Sequence, residues 1–291
     1  MIDLHTHSSA SDGSLCPSAL IKEAVKRSLT AIALTDHDTI AGLIEAENTA
    51  LELGIQFIPG IELEITWNRA HGGGEFHLLG LGINNPSLDF KKAVENLARQ
   101  REERNLEIIE KMNNFGIVVS YEEIKAFAGS TTIGAEKAGG VSIGRPHFAD
   151  YLISQRIVKN REQAFSRYLG NRKLFFIPKI GLDFNEAVRI IKQSGGIAVL
   201  AHPMSLYTAW GRLPDLIKNL KDNGLDGIEA WHPTAKVSSC KRLEELGKKL
   251  DLIVTAGSDF HGEARPDRKL GITAGGKKIE DSYLPKHILS N

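Results

Sequence analysis

Apolar positions along this chain alternate between two periods. Short apolar runs at residues 2–4, 31–34, 55–58, 76–83, 175–177, 197–200, 227–230 and 252–255 read as strands, with 60–62 as a further extended piece. Between them lie helical patterns. One opens at Pro17 and carries Leu20, Ile21, Ala24 and Val25 on one side; others cover residues 39–53, 185–193, 213–221 and 238–250. The rhythm breaks over residues 87–170, where only helical patterns occur. Residues 89–115 form one long, charged helix with Leu97, Leu106, Ile109 and Met112 on its apolar side, followed by shorter helices at 121–127, 145–153 and 161–169. His71-Gly72-Gly73-Gly74 reads as a turn, and the Gly/Thr/Ala-rich residues 129–144 as a mobile loop.

Strands alternating with helices predict an α/β fold, and parallel strands joined by crossover helices often close into a barrel. No G-x-G-x-x-G follows a strand, so a distorted barrel fits better than an open nucleotide-binding sheet. The expected organisation is a barrel from residues 1–86 and 171–291, with an α-helical insertion domain over 87–170 that caps the barrel mouth.

Composition narrows the function classes. The 291 residues are 42% hydrophobic and 25% charged, as in ordinary globular proteins. Thirty-six basic residues balance thirty-six acidic ones, so no global field attracts long nucleic acid or a membrane, and an anionic ligand must be caught locally. Two cysteines, Cys16 and Cys240, make no disulfide framework and read as packing residues. With no leader pattern and no apolar stretch of membrane-spanning length, a cytoplasmic location is expected.

Four strand ends carry metal-ligand chemistry: His5-Thr6-His7, Thr35-Asp36-His37-Asp38, Ala201-His202-Pro203 and Ser258-Asp259-Phe260-His261. Residues i and i+2 of an extended segment point the same way, so His5 with His7, and Asp259 with His261, can share an ion. Asp12 follows in a Ser-Asp-Gly turn. Glu62 and Glu64 share one side of an extended run, with Glu62 nearer the strand end. Asp36 is a ligand or orients one; Asp38 reads as a helix cap. His77, on an apolar strand, reads alone as a hydrogen-bonded core histidine. So many imidazoles and carboxylates on one rim point to a multinuclear metal site.

The segments H-T-H-S-S-x-S-D-G, T-D-H-D-T, G-I-E, F-H-L-L-G, A-H-P and S-D-F-H-G run from His5 to Gly262. In this order they resemble the polymerase and histidinol phosphatase (PHP) superfamily of metal-dependent phosphoesterases. The resemblance implies a distorted (β/α)7 barrel with three divalent ions, manganese foremost and iron or zinc as alternatives. It implies His5, His7, Glu62 and Asp259 for one ion; Asp12, His37 and His261 for a second; and bridging Glu62 with His77 and His202 for a third. Residues 143–149 and 164–169 further resemble the subgroup acting on 3′,5′-bisphosphonucleotides and 5′-phosphorylated short RNA. Arg145 and Arg167 match its phosphate-gripping arginines, with Ser142 and His147 as neighbours; taken alone, both arginines read as surface charges tied to Asp150 or Glu162.

The implied reaction is in-line attack on phosphorus by a metal-bridging hydroxide, with His202, Asp259 and Arg145 as the catalytic set. His202 and His232 are open as leaving-group acids, and His232 also stands near the rim as a substrate contact. Partners are then a small phosphorylated nucleotide or short RNA. Alternatives are a histidinol-phosphate phosphatase, a non-catalytic metal-binding PHP module and a C–N hydrolase. The Arg-Pro-His insertion weighs against the first, the intact ligand set against the second, and the lack of a differently spaced ligand pair against the third.

Overall fold

The structure is a computed structural model that describes residues 1–66, 74–133 and 142–289. Seven strands form one sheet in chain order: β1 (Ile2–Asp3), β2 (Ala31–Leu34), β3 (Gln56–Glu64), β4 (His77–Leu81), β5 (Ile197–Leu200), β6 (Gly227–Trp231) and β7 (Ile253–Ala256). The edges meet just above β1 and β7, where Thr6 and Phe260 form a parallel bridge and the His7 N–H donates to the Phe260 carbonyl at 2.9 Å. Lower on the seam, the buried Asp3 carboxylate accepts from the Ser258 N–H at 2.9 Å and the Gly271 N–H at 2.7 Å. The Ile2 N–H donates to Ile279. The sheet is thus a nearly closed, distorted barrel.

The distortion departs from an all-parallel expectation. β1–β3 and β5–β7 are parallel within each group, but β4 runs antiparallel to both β3 and β5. A parallel pair needs a crossover, usually a helix, and the sequence joining β3 to β4 has no helical periodicity. The two extended pieces expected around residues 55–62 are one strand. Pro59, lacking an N–H, stands where β3 changes partners, from β2 to β4. Gly60 follows because a Cβ there would lie 2.9 Å from the Gly80 carbonyl and from Thr35 Cγ2. Residues 175–177 form no strand: Phe175 is fully buried in the core of the helical block instead. Residues 71–73 of the expected turn and 134–141 of the expected loop fall outside the described residues, and helix continues to Ser130.

Helices α1 (Pro17–Lys26) and α2 (Leu43–Leu53) cover β2, burying Leu20, Ile21 and Ala46 against Ile32 and Leu34. α2 starts later than the pattern suggested, with Gly42 at its N-cap. The helical block contains α3 (Leu88–Asn114), α4 (Tyr121–Ser130), α5 (Arg145–Ser154), α6 (Arg161–Ala164) and a π-helical turn over Phe165–Leu169. α7 (Phe184–Gln193), α8 (Leu213–Asp222) and α9 (Val237–Lys249) return to the barrel, and a small hairpin of β8 (Ile272–Thr273) and β9 (Lys277–Lys278) follows. No helix among the described residues is long and apolar enough to cross a membrane.

The 27 residues of α3 span about 40 Å. Its first half places Phe90, Ala93, Val94 and Leu97 in the barrel core; its second half places Ile108, Ile109 and Met112 in the core of the helical block. The Ser87 hydroxyl caps its start by accepting from the Phe90 N–H. Phe90 is fully buried, so truncation to alanine costs about 3–5 kcal/mol. This helix joins the two cores, and its middle turns lie beside the barrel mouth.

Candidate metal centre

Each strand end delivers its side chain to the same rim. His5 and His7 leave β1, Glu62 projects from β3, His77 starts β4, His202 follows β5, and Asp259 and His261 follow β7. His202 and Asp259 adopt positive φ, 29° and 51°, a strained backbone for non-glycine residues. The turn at His202 is held by its own N–H, which donates to Glu229 Oε2 at 2.7 Å.

Glu62 is the hub. Its Oε2 lies 3.2 Å from His5 Nε2, 3.2 Å from His7 Nε2 and 3.0 Å from His37 Nδ1. Its Oε1 lies 2.7 Å from His77 Nδ1 and 2.9 Å from His202 Nε2. The two oxygens of one carboxylate thus face different sets of rings, as a bridging ligand requires. Asp259 Oδ1 stands 3.2 Å from His7 Nε2 and 3.6 Å from His5 Nε2. Asp12 Oδ1 stands 3.2 Å from His261 Nε2 and 4.0 Å from His37 Nε2.

Three groups of donor atoms are compact enough to share an ion: His5, His7, Glu62 and Asp259; His7, Asp12, His37 and His261; and His37, Glu62 and His77. These groups hold eight of the nine residues named as ligands, and the ninth, His202, meets them on the same rim through Glu62 Oε1. The geometry adds His7 to the second set and brings His37 beside the third, while His202 stands on Glu62 Oε1. Five buried atoms, His5 Nε2, His7 Nε2, His37 Nδ1, Glu62 Oε2 and His261 Nε2, have no hydrogen-bond partner. Buried polar atoms are rarely left so, and mixed imidazole and carboxylate donors suit manganese, iron or zinc. The residues fit divalent metal.

Electrostatics agree. Burial works against His5 carrying charge, yet Glu229 and Glu62 push its pKa up to about 10. Burial and then His7 pull His261 down to about 4, against Asp12. Burial would raise Glu62, but His37, His5 and His77 hold it well below the usual carboxylate range. Protons and divalent cations compete for these nitrogens, so metal binding weakens as pH falls.

The supporting residues were largely missed in the sequence. Glu229, fully buried on β6, accepts from His5 Nδ1 at 3.0 Å, which leaves Nε2 as the free lone pair. Arg268 donates to Asp259 Oδ2, the oxygen that also faces His232, while His5 and His7 face Oδ1. Asp36 is no ligand: it accepts from the Ser8 N–H at 2.8 Å and the hydroxyls of Ser8 and Ser11 at 2.6 Å each, shaping the loop that carries Asp12. Asp38 caps no helix. It accepts from the Glu64 N–H and pairs with Arg101 and with Lys179 at 2.9 Å. Glu64 is not turned to open solvent, because its Oε2 lies 3.0 Å from His77 Nε2 and 2.9 Å from Lys179.

A cavity of about 290 Å³ opens over the rim, lined by Glu62, His77, His202, His232, Glu75 and Arg268 among others. His232 is buried there, with Nε2 3.1 Å from Asp259 Oδ2 and Nδ1 2.8 Å from Thr234 Oγ1. Arg145 reaches from α5, its guanidinium stacked near Phe165 and Phe176 and 3.9 Å from Glu75. His147 caps α5 by accepting from the Gly144 N–H and lines a second cavity with Asp12. Asp150 pairs with Arg161 rather than with Arg145. Arg167 is exposed, and Ser142 half-buried, outside the residues lining the mouth.

Residues 3–91 match the family model described as "PHP domain". The chain is 35% identical to a 5′-3′ exoribonuclease of Haemophilus influenzae, over 89% of this chain and 89% of that protein. It is 29% identical to a 3′,5′-nucleoside bisphosphate phosphatase of Chromobacterium violaceum, over 94% of this chain and 91% of that protein. A crystal structure from Bifidobacterium adolescentis, described as a metal-dependent phosphoesterase, superposes with a TM-score of 0.81 at 26% identity, covering 97% of this chain and 93% of that one.

Proposed function

The chain belongs to the PHP family, and from that premise we propose a metal-dependent phosphoesterase acting on small nucleotides. Its chemistry is 3′-phosphate removal from a 3′,5′-bisphosphonucleotide, 5′-to-3′ release of nucleotides from short 5′-phosphorylated RNA, or both. The observation that carries this reading is the Glu62 hub with its ring of buried, unpartnered donor atoms.

Three ions, manganese foremost, would be held by His5, His7, Glu62 and Asp259; by Asp12, His37 and His261; and by Glu62, His77 and His202. Such ions, when bound, would supply Lewis-acid polarisation of the phosphoryl group and a water of lowered pKa. The chain's residues supply the rest. Glu229 holds His5 in one tautomer through the bond to Nδ1. Arg268 and His232 fix the Asp259 carboxylate between them. His232 and His202, both at the mouth, are the two candidates for passing a proton to the leaving oxygen, His202 with Nδ1 2.6 Å from the Ser205 hydroxyl. Arg145 would neutralise charge on the phosphoryl oxygens; Ser142, His147 and Arg167, which stand outside the residues lining the mouth, are the further substrate contacts that the family resemblance implies.

The test is product release by manganese-loaded protein from 3′,5′-bisphosphoadenosine, a 5′-phosphorylated RNA trimer and histidinol phosphate. Turnover of either nucleotide substrate is expected. Turnover of histidinol phosphate alone would move the substrate assignment to amino-acid chemistry.

A further inference from the structure

The middle of α3 holds a charge that the metal chemistry does not use. Arg99, Arg101 and Arg104 interleave with Glu102 and Glu103, the sequence pattern of a solvated face, and Arg99 is indeed exposed, but Arg104 is only 6% exposed. Among the described residues no carboxylate lies within 4.0 Å of its guanidinium, and its Nε is buried without a partner. Burial, and then the like charges of Arg101 and Arg145, pull its pKa down to about 9, against Asp38 and Glu64. An unpaired buried guanidinium is costly and implies an anion.

Arg104 lines a cavity of about 230 Å³ together with Gln100, Arg101, Asp38 and Lys179. Gln100 Oε1 is buried without a partner as well. Arg101 and Lys179 are joined there by Asp38, with Glu64 behind, so three cations face one lining buried carboxylate. Glu103 and Glu107 also line the cavity but are exposed. The cavity adjoins the hub: the Asp38 N–H donates to the Glu62 carbonyl at 2.9 Å.

We propose that this cavity is an anion site separate from the metal cage, taking a phosphate group with Arg104 as its principal cation and Arg101 and Lys179 at its sides. Planar, many-donor guanidinium suits phosphate oxygens. The phosphate is either the unreacting phosphate of the substrate, which rests on the proposed function, or free inorganic phosphate, which does not.

Calorimetric titration of inorganic phosphate into the full-length, metal-loaded protein tests the site, with Arg104→Met and Arg104→Gln compared to wild type and folding checked by circular dichroism. The expected result is loss, or at least ten-fold weakening, of one binding event in either folded variant. Isotherms identical to wild type would overturn the site. Steady-state kinetics then separate the sources. If kcat/KM falls at least ten-fold more for 3′,5′-bisphosphoadenosine than for 3′-AMP, the site holds the substrate's second phosphate. Equal losses alongside the altered isotherm assign it to free phosphate. No turnover of any ester, with the isotherm still dependent on Arg104, would sink the proposed function and leave the anion site standing.

Discussion

The metal cage and the cavity beside α3 are neighbouring buried clusters of charge with opposite shortfalls. In the cage, imidazoles crowd a few carboxylates, and what remains unsatisfied is lone pairs. In the cavity, three cations face one buried carboxylate, and the charged group left without a partner is the Arg104 guanidinium, its Nε a donor beside the unpaired Gln100 amide oxygen. The sign of the unsatisfied remainder indicates the ligand: a cation for the first, an anion for the second. Asp38 and Glu64 lie between them and serve both, one bonded to the backbone of β3 and the other to His77.

The largest effect should come from the hub. Glu62→Gln is expected to lower turnover on the order of a thousand-fold or more and to empty part of the metal complement, read by elemental analysis. Normal metal content and turnover would erase the cage's side of the contrast. Next is the partition. Asp38→Asn should cost about 3 kcal/mol at neutral pH, because Arg101 and Lys179 lose their shared buried counter-ion. Burial would raise the Asp38 pKa, but Lys179 and Arg101 depress it far below its ordinary value. A depressed carboxylate stabilises the fold above its unfolded pKa of about 3.9, and that stability is lost as pH falls through the folded value. Denaturation curves of wild type and variant should therefore differ fully above about pH 5 and converge in stronger acid; a pH-independent gap would show that the charge of Asp38 is not what matters.

Glu229→Gln should weaken metal affinity or turnover by roughly 10–100-fold, since it only orients His5. An effect as large as that of Glu62→Gln would mean that Glu229 itself contacts the reacting centre. Arg145→Ala should reduce kcat/KM for a nucleotide substrate by about ten-fold with metal content intact, the worth of one charge-assisted bond. Arg167→Ala, at an exposed position, should shift stability by less than about 0.5 kcal/mol and kcat/KM less than Arg145→Ala does.

The cage was legible because its ligands lie on strand ends, in short motifs whose i, i+2 spacing states a direction. The barrel was legible because its strands are apolar runs broken by helical periods. Glu229 was missed because it lies inside an apolar strand, although an acid within a fully buried strand must have a partner. Arg104 was missed because its acidic neighbours suggested solvent. Its spacing pointed inward: Leu97, Arg101, Arg104 and Ile108 follow one another at helical intervals of three and four, so both arginines continue the apolar stripe. The reversal of β4 and the irregular path at 175–177 depend on which core each apolar run joins, which local periodicity does not encode.

The seam that closes the barrel has a consequence in time. The Ser258 N–H that bonds Asp3 lies 255 residues downstream of it. At roughly 5–20 residues per second of synthesis, His5 and His7 wait on the order of ten to fifty seconds before Asp259 and His261 exist to meet them. During that interval the nascent chain carries an unfinished rim and an open sheet edge. Metal can then act as a fastener between two segments made about 255 residues apart.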